Sequence, residues 1–256
     1  MQPITLAEIN ATKLINTNAK KWCADNLDYL NKPIKFFGSS LKVEKGADKY
    51  DTYIMYLQPA DKVATDSLCK FAELAGCKEP CLISSGQLGM STGQNAATKR
   101  TVLMILRPLD FSSNLLSEID KAERKALKTG IPALFRLNGT SDIDFSEIMA
   151  QRPDSMFYDY TKIPNRKLGK IQNYDLTYSY SGVTKYQSFV DRAIKDSMRM
   201  AVVFEKYLPK TFKGLKVVNG DDTDIRPYDA QGVVVGLLAK GKARQDTSGF
   251  VVRQSN

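Results

Sequence analysis

Ala133-Leu134-Phe135-Arg136-Leu137-Asn138-Gly139-Thr140-Ser141-Asp142 decides the fold: a short apolar run of strand-forming residues breaks off into a polar, glycine-bearing turn. The same layout recurs at Met156-Phe157-Tyr158-Asp159-Tyr160-Thr161-Lys162 and where Leu176-Thr177 runs into Tyr178-Ser179-Tyr180-Ser181. It recurs again where Met200 to Phe204 meets Glu205-Lys206, and where Val217-Val218 meets Asn219-Gly220-Asp221-Asp222-Thr223-Asp224-Ile225-Arg226. Short runs without polar alternation suit strands buried on both faces, as in parallel sheets. Polar strand ends then suit a ligand at the C-terminal rim of the strands.

Outward from these runs, helical segments near Gln94–Leu106, Ser112–Lys128, Phe145–Ala150 and Lys185–Asp196 separate strands at Tyr53–Leu57, Ala133–Leu137, Met156–Tyr160, Leu176–Tyr180, Met200–Phe204, Val217–Val218 and Gly232–Leu238. Gly130 stands where a helix C′ glycine belongs. Asp144 to Glu147 and Thr184 to Gln187 fit the capping-box spacing, which makes Asp144 and Thr184 structural. Alternation of this kind predicts parallel βαβ units in an α/β fold. A TIM-like (βα) barrel, complete or partial, is the first expectation, and an open doubly wound sheet the second. Residues 5–30 read as one or two helices, stopped by Pro33, and Ile34–Phe37 and Leu41–Val43 as strands. Residues 1–50 are therefore expected to form an N-terminal cap and residues 51–256 the barrel domain, with fraying from Arg253 onward.

The chain has 256 residues, 43% hydrophobic and 25% charged, which suits one large globular domain. No run approaches the ~18 apolar residues of a membrane span, and Met1 to Asn16 does not read as a signal peptide. A cytoplasmic setting with reduced cysteines is expected, with no membrane partner. The formal charge of +9 suits an anionic partner, nucleic acid or nucleotide, and suits equally a merely basic soluble protein. There is no histidine, which excludes Ser-His-Asp and Cys-His machinery and leaves acid-base work to Asp, Glu, Lys, Tyr or Cys.

Cys69, Cys77 and Cys81 crowd the loop after the first expected barrel strand. Three thiolates there suit three irons of a four-iron cluster, although the C-x7-C-x3-C spacing is not the usual C-x3-C-x2-C. A zinc ion would need a carboxylate, water or the distant Cys23 as fourth ligand, and buried thiols are also ordinary core residues. Asp222 and Asp224 supply oxygen ligands of the kind magnesium takes, in a stretch that also reads as a plain acidic turn. Asn138, Asp142, Asp159, Lys162 and Lys240 are the candidate catalytic residues. Asp159 and Lys162 would orient an anionic ligand or shift each other's pKa, or form a salt bridge at the rim. Lys206, Lys210, Lys213, Lys216, Lys242 and Arg244 are candidate phosphate contacts, or a solvated basic surface. Tyr158, Tyr160, Tyr178 and Tyr180 suit core packing or base stacking.

The motifs Arg136 to Ile143, Phe157 to Lys162, Asn173 to Thr177 and Gly220 to Arg226, with Gly236 to Gly241, Asp246 to Phe250 and the cysteine loop, together resemble the gene product eighty-eight family of bacteriophages and prophages. The resemblance covers nearly all the chain from about Tyr53 and implies a phage protein in the cytoplasm of an infected bacterium, of unassigned activity. The strand-end motifs are also similar to radical-SAM-like barrel proteins, in which a cysteine loop follows the first strand. This implies an iron–sulfur cluster with S-adenosylmethionine as cofactors; otherwise a divalent metal or no cofactor is expected. The resulting expectation is an enzyme acting on nucleic acid or a nucleotide at the barrel rim. The alternative is a non-catalytic protein that binds single-stranded nucleic acid or a host factor.

Overall fold

Nine strands form one sheet in a computed structural model that describes residues 2–38, 49–164, 166 and 171–254. They are β1 (Phe37–Gly38), β2 (Asp51–Met55), β3 (Ala133–Arg136), β4 (Met156–Thr161), β5 (Tyr174–Ser179), β6 (Met200–Phe204), β7 (Thr211–Phe212), β8 (Leu215–Asn219) and β9 (Val234–Leu238). Their order is β1-β2-β3-β4-β5-β6-β9-β8-β7. From β2 to β6, and on through β9 and β8, every neighbouring pair is parallel, while β1 and β7 run antiparallel to their neighbours. The expected strand Leu41–Val43 lies outside the described residues.

The fold is α/β as expected, and the sheet is open, so of the TIM-like barrel, complete or partial, the complete form is not what the chain adopts. Its edges, β1 and β7, are two residues long and reversed in direction, so neither extends the parallel ladder, and among the described residues no pairing joins them. The order also rises without reversal from β1 to β6, unlike a doubly wound sheet, which turns back at its centre. Two large apolar clusters, and a small third one around Ala239, Ala243 and Val251, make the core. One packs the N-terminal segment, through Ile9, Cys23 and Phe36, with Met55, Phe135 and Phe157 and with Phe111 and Leu115 of the helix Pro108–Thr129. The other joins Tyr178, Met200, Val202, Phe204 and Val234 to Val190 of the helix Gln187–Lys195.

Most strands and helices fall within a residue or two of their sequence-based positions, and Gly130 closes the long helix at φ 71°. The two expected capping boxes do not form. Asp144 Oδ1 accepts from the Ser146 N–H at 2.8 Å without a reciprocal bond from Glu147, and Thr184 begins a 3-10 turn with no side-chain cap. The chain instead has a reciprocal box at Thr5 and Glu8. Arg253, where fraying is expected to begin, pairs with Glu205 at 2.8 Å. β5 and β6 pair directly only at Tyr178↔Met200 and Ser179↔Ala201. Beyond that point the C-terminal segment fills the gap: Gly182 N–H donates to Gly249 O at 2.9 Å, and Val252 N–H to Val203 O at 2.8 Å.

Gly139 fixes the turn after β3. Its N–H donates to Met55 O at 3.0 Å, and a Cβ at this position would lie 2.7 Å from that same oxygen and 2.7 Å from Ile54 Cγ2. Gly139→Ala is expected to destabilise the fold by about 2 kcal/mol, the range for overpacking a tight site, and to lower Tm by roughly 4–8 °C for a chain of this size. Thermal unfolding followed by circular dichroism checks this; an unchanged Tm would mean that the turn is loosely held.

Candidate active site at the strand C-termini

One cavity of about 1040 Å³ opens where the parallel strands end. Tyr56 follows β2, Asn138 follows β3, Thr161 and Lys162 mark the end of β4, Ser179 that of β5 and Leu238 that of β9, and all line it. The helix Ser91–Leu106 contributes Thr92, Gly93 and Arg100 from the side of β2. Seven lysine or arginine side chains face four carboxylates on this wall, so the cavity favours an anionic ligand.

The three clustered cysteines all line the cavity, and all are free thiols. Burial pushes the Cys69 thiol up to about 12 and raises Cys81; charge on Cys81 and Cys77 adds to the first, and charge on Cys77 to the second. Cys69 Sγ donates to Thr140 O at 3.5 Å, which ties the cysteine loop to the turn after β3. Ser181 Oγ to Ala75 O at 2.7 Å and Ser248 Oγ to Gly76 O at 2.8 Å tie it to the end of β5 and to the C-terminal segment. Cys23 lies apart, buried in the N-terminal core. Among the described residues no three His, Cys, Asp or Glu side chains gather where a single metal ion would be held.

The remaining candidates separate into distinct settings. Asp159 is 1% exposed and does not reach the cavity. Its carboxylate accepts from the Asn138 N–H at 3.0 Å and from Tyr174 OH at 3.0 Å, so it acts by holding the rim turn. Asp142 accepts from Thr161 Oγ1 at 3.0 Å and the Lys162 N–H at 2.8 Å, and pairs with Arg166 at 2.6 Å. Burial raises its pKa, against the pull of these donors and of Arg166. Lys162 does not pair with Asp159; its Nζ donates to Ser179 O at 3.0 Å and Tyr180 O at 2.9 Å and lies 4.5 Å from the centre of the Phe250 ring. Burial lowers its pKa.

Asp224 lines the cavity but is held by Arg136, whereas Asp222 is exposed and accepts from Asn219 Nδ2 at 2.7 Å. Lys240 and Lys242 are exposed side chains at the mouth, Lys240 paired with Asp221 at 2.6 Å, and Arg244 lies just outside. Lys206, Lys210, Lys213 and Lys216 are exposed on and beside the β7–β8 hairpin and do not line the cavity. Tyr158, Tyr178 and Tyr180 are buried, while Tyr160 reaches the cavity with the Arg136 guanidinium 4.8 Å from its ring centre. Sequence reasoning did not select Arg100, Arg136 or Phe250. The one signal for Arg100 is a pair of adjacent cations, Lys99-Arg100, inside a helical stretch of small and apolar residues.

Residues 16–254 match the profile of a protein family described as Gene product 88. No curated protein and no solved structure matches the chain. Among the described residues no helix is long and apolar enough to cross a membrane.

Burial pushes the Asp159 carboxyl up to about 7 from 3.8, outweighing Arg136 and the bonds from Asn138 and Tyr174, which favour the charged form. Between those values the folded chain holds a proton that the unfolded chain releases, so stability is greatest at the acidic end and falls as pH rises through the folded pKa. The slope from this group is at most ~1.4 kcal/mol per pH unit between pH ~5 and ~7. Asp159→Asn should flatten it. Urea unfolding of both proteins across that range tests the assignment, and parallel curves would contradict it.

Proposed function

The chain belongs to the Gene product 88 family of bacteriophage proteins, and we propose that its cavity is the active site of an enzyme acting on a nucleotide or on nucleic acid, with an iron–sulfur cluster held by Cys69, Cys77 and Cys81. One observation carries the reading: three free thiols from a single loop share a cation-rich cavity with the C-terminal ends of the parallel strands. Ligands of open α/β sheets bind at that edge.

We infer a cluster and not a single ion, because among the described residues no three such side chains gather around one point. A cluster distributes its thiolates over separate irons, so its ligands need not converge on one point as they must around zinc. Burial keeps Cys69 and Cys81 protonated in the absence of metal, and coordination reverses this, because a coordinating thiol loses its proton outright. Lys162 supports the reading: it is a buried cation with no carboxylate in ion-pair reach among the described residues, and charge on Cys77, Asp142 and Cys69 favours its ammonium form. When bound, such a cluster supplies one-electron chemistry.

The chain's own residues bind and position. Asp159 holds Asn138, and Asn138 Nδ2 donates to Ile143 O at 3.0 Å, which shapes the turn that carries Thr140, Ser141 and Asp142 into the cavity. Asp142 holds the backbone of Lys162, and the two carbonyls at the end of β5 hold its side chain. The lysines at the mouth attract a phosphate-bearing ligand.

Protein purified without oxygen should carry iron and sulfide in stoichiometric amounts, with a broad visible absorption band. Cys77→Ser should lose both. A change in that band on adding S-adenosylmethionine would assign that cofactor to the site, and no change would remove it. Colourless protein free of iron and sulfide would overturn the cluster; if it still bound oligonucleotides, it would be a non-catalytic single-strand binder.

A further inference from the structure

Each buried cation on the cavity wall has a different source of compensation. Arg136 is matched by Asp224, and Arg166 behind the wall by Asp142. Arg100 and Lys162 have no carboxylate in direct contact among the described residues; Glu118 and Asp142 act on them only from beyond ion-pair distance. Arg100 is 7% exposed and Lys162 8%, and both line the cavity. Their side chains donate to backbone carbonyls: Lys35 O at 2.8 Å and Tyr56 O at 3.3 Å for Arg100, and Ser179 O and Tyr180 O for Lys162. Among the described residues neither forms an ion pair with a carboxylate. Burying a charge without a counter-charge in contact is costly, and the more distant carboxylates offset this only in part, so a wall that keeps two such cations favours further negative charge.

The two cations stand well apart. Arg100 is fastened beside the end of β2, and Lys162 follows β4 and is fastened to the end of β5. Two to three inter-strand steps of ~4.8 Å separate these positions, a span of roughly 10–14 Å. That exceeds what the phosphates of one mononucleotide bridge, and matches phosphates two linkages apart on an extended strand. The wall between carries Tyr160, and Phe250 stands beside Lys162, both suited to stacking with bases. A duplex is too wide for a cavity of about 1040 Å³.

We propose that the ligand is a single-stranded oligonucleotide segment, with one phosphate received by Arg100 and another, two linkages along, by Lys162. This rests on the reading of the cavity as a nucleotide or nucleic-acid site and specifies the ligand's length and its contacts.

Isothermal titration of the full chain with thymidine monophosphate and with the 5′-phosphorylated trinucleotide pTpTpT, at several salt concentrations, tests it. The trinucleotide should bind at least about tenfold more tightly, and its log–log salt slope should drop by ~0.7 in Lys162→Met and by ~0.7 in Arg100→Met, one single-strand phosphate each. Lys162→Arg should keep the slope. Equal affinity for the two wild-type ligands would overturn the inference without recourse to any variant. A tight trinucleotide whose salt slope survives both folded variants would overturn the assignment of phosphates to these cations and leave the site reading intact. Absence of binding by either ligand would overturn both.

Discussion

Parallel pairing is the constraint on which the rest of this structure depends. When β2 to β6 and β9 run in one direction, each strand ends at the same edge, and each following loop begins there. Backbone hydrogen bonding along the ladders thus gathers Asn138, Asp142, Lys162, Asp224 and Lys240 from segments about a hundred residues apart in sequence. The reversed two-residue edge strands leave the sheet open, and the cavity lies over its C-terminal side, bounded by the cysteine loop and the start of the helix Ser91–Leu106.

The divergence of β5 and β6 gives this edge its particular shape. Two parallel strands that separate leave N–H and C=O groups without partners, which is costly when buried. Residues Gly249 to Val252 supply partners to Gly182, Val203 and Glu205, so the last part of the chain becomes part of the rim. That placement brings Phe250 against Lys162 and Ser248 against the cysteine loop. The thiols are therefore positioned by the two ends of the fold together, and the loop that bears them is held by Thr140 on one side and Ser248 on the other.

The strand runs were legible because burial on both faces leaves a continuous apolar signature, and Ala133 to Arg136 shows it in full. Asn138, Asp142 and Lys162 were legible as rim residues for the same reason: they stand just past such runs. The open edge was not legible, since Phe37–Gly38 and Thr211–Phe212 are too short to have a period and pairing direction leaves no local mark. Asp159 and Lys162 looked like a pair, but Asp159 falls within β4 and points to Asn138, while Lys162 lies just beyond the strand. Arg100 escaped notice because its position depends on how one helix packs against the end of β2, a tertiary contact that no sequence spacing encodes.

In the function we propose, the cysteine loop and the strand ends make one reactive centre. Crystals of the protein grown without oxygen, measured on both sides of the iron absorption edge, test it most directly. The expected result is an anomalous peak bounded by Cys69, Cys77 and Cys81 and open toward the cavity that Lys162 lines. Well-ordered cysteines with no iron between them, or iron bound elsewhere on the chain, would contradict it.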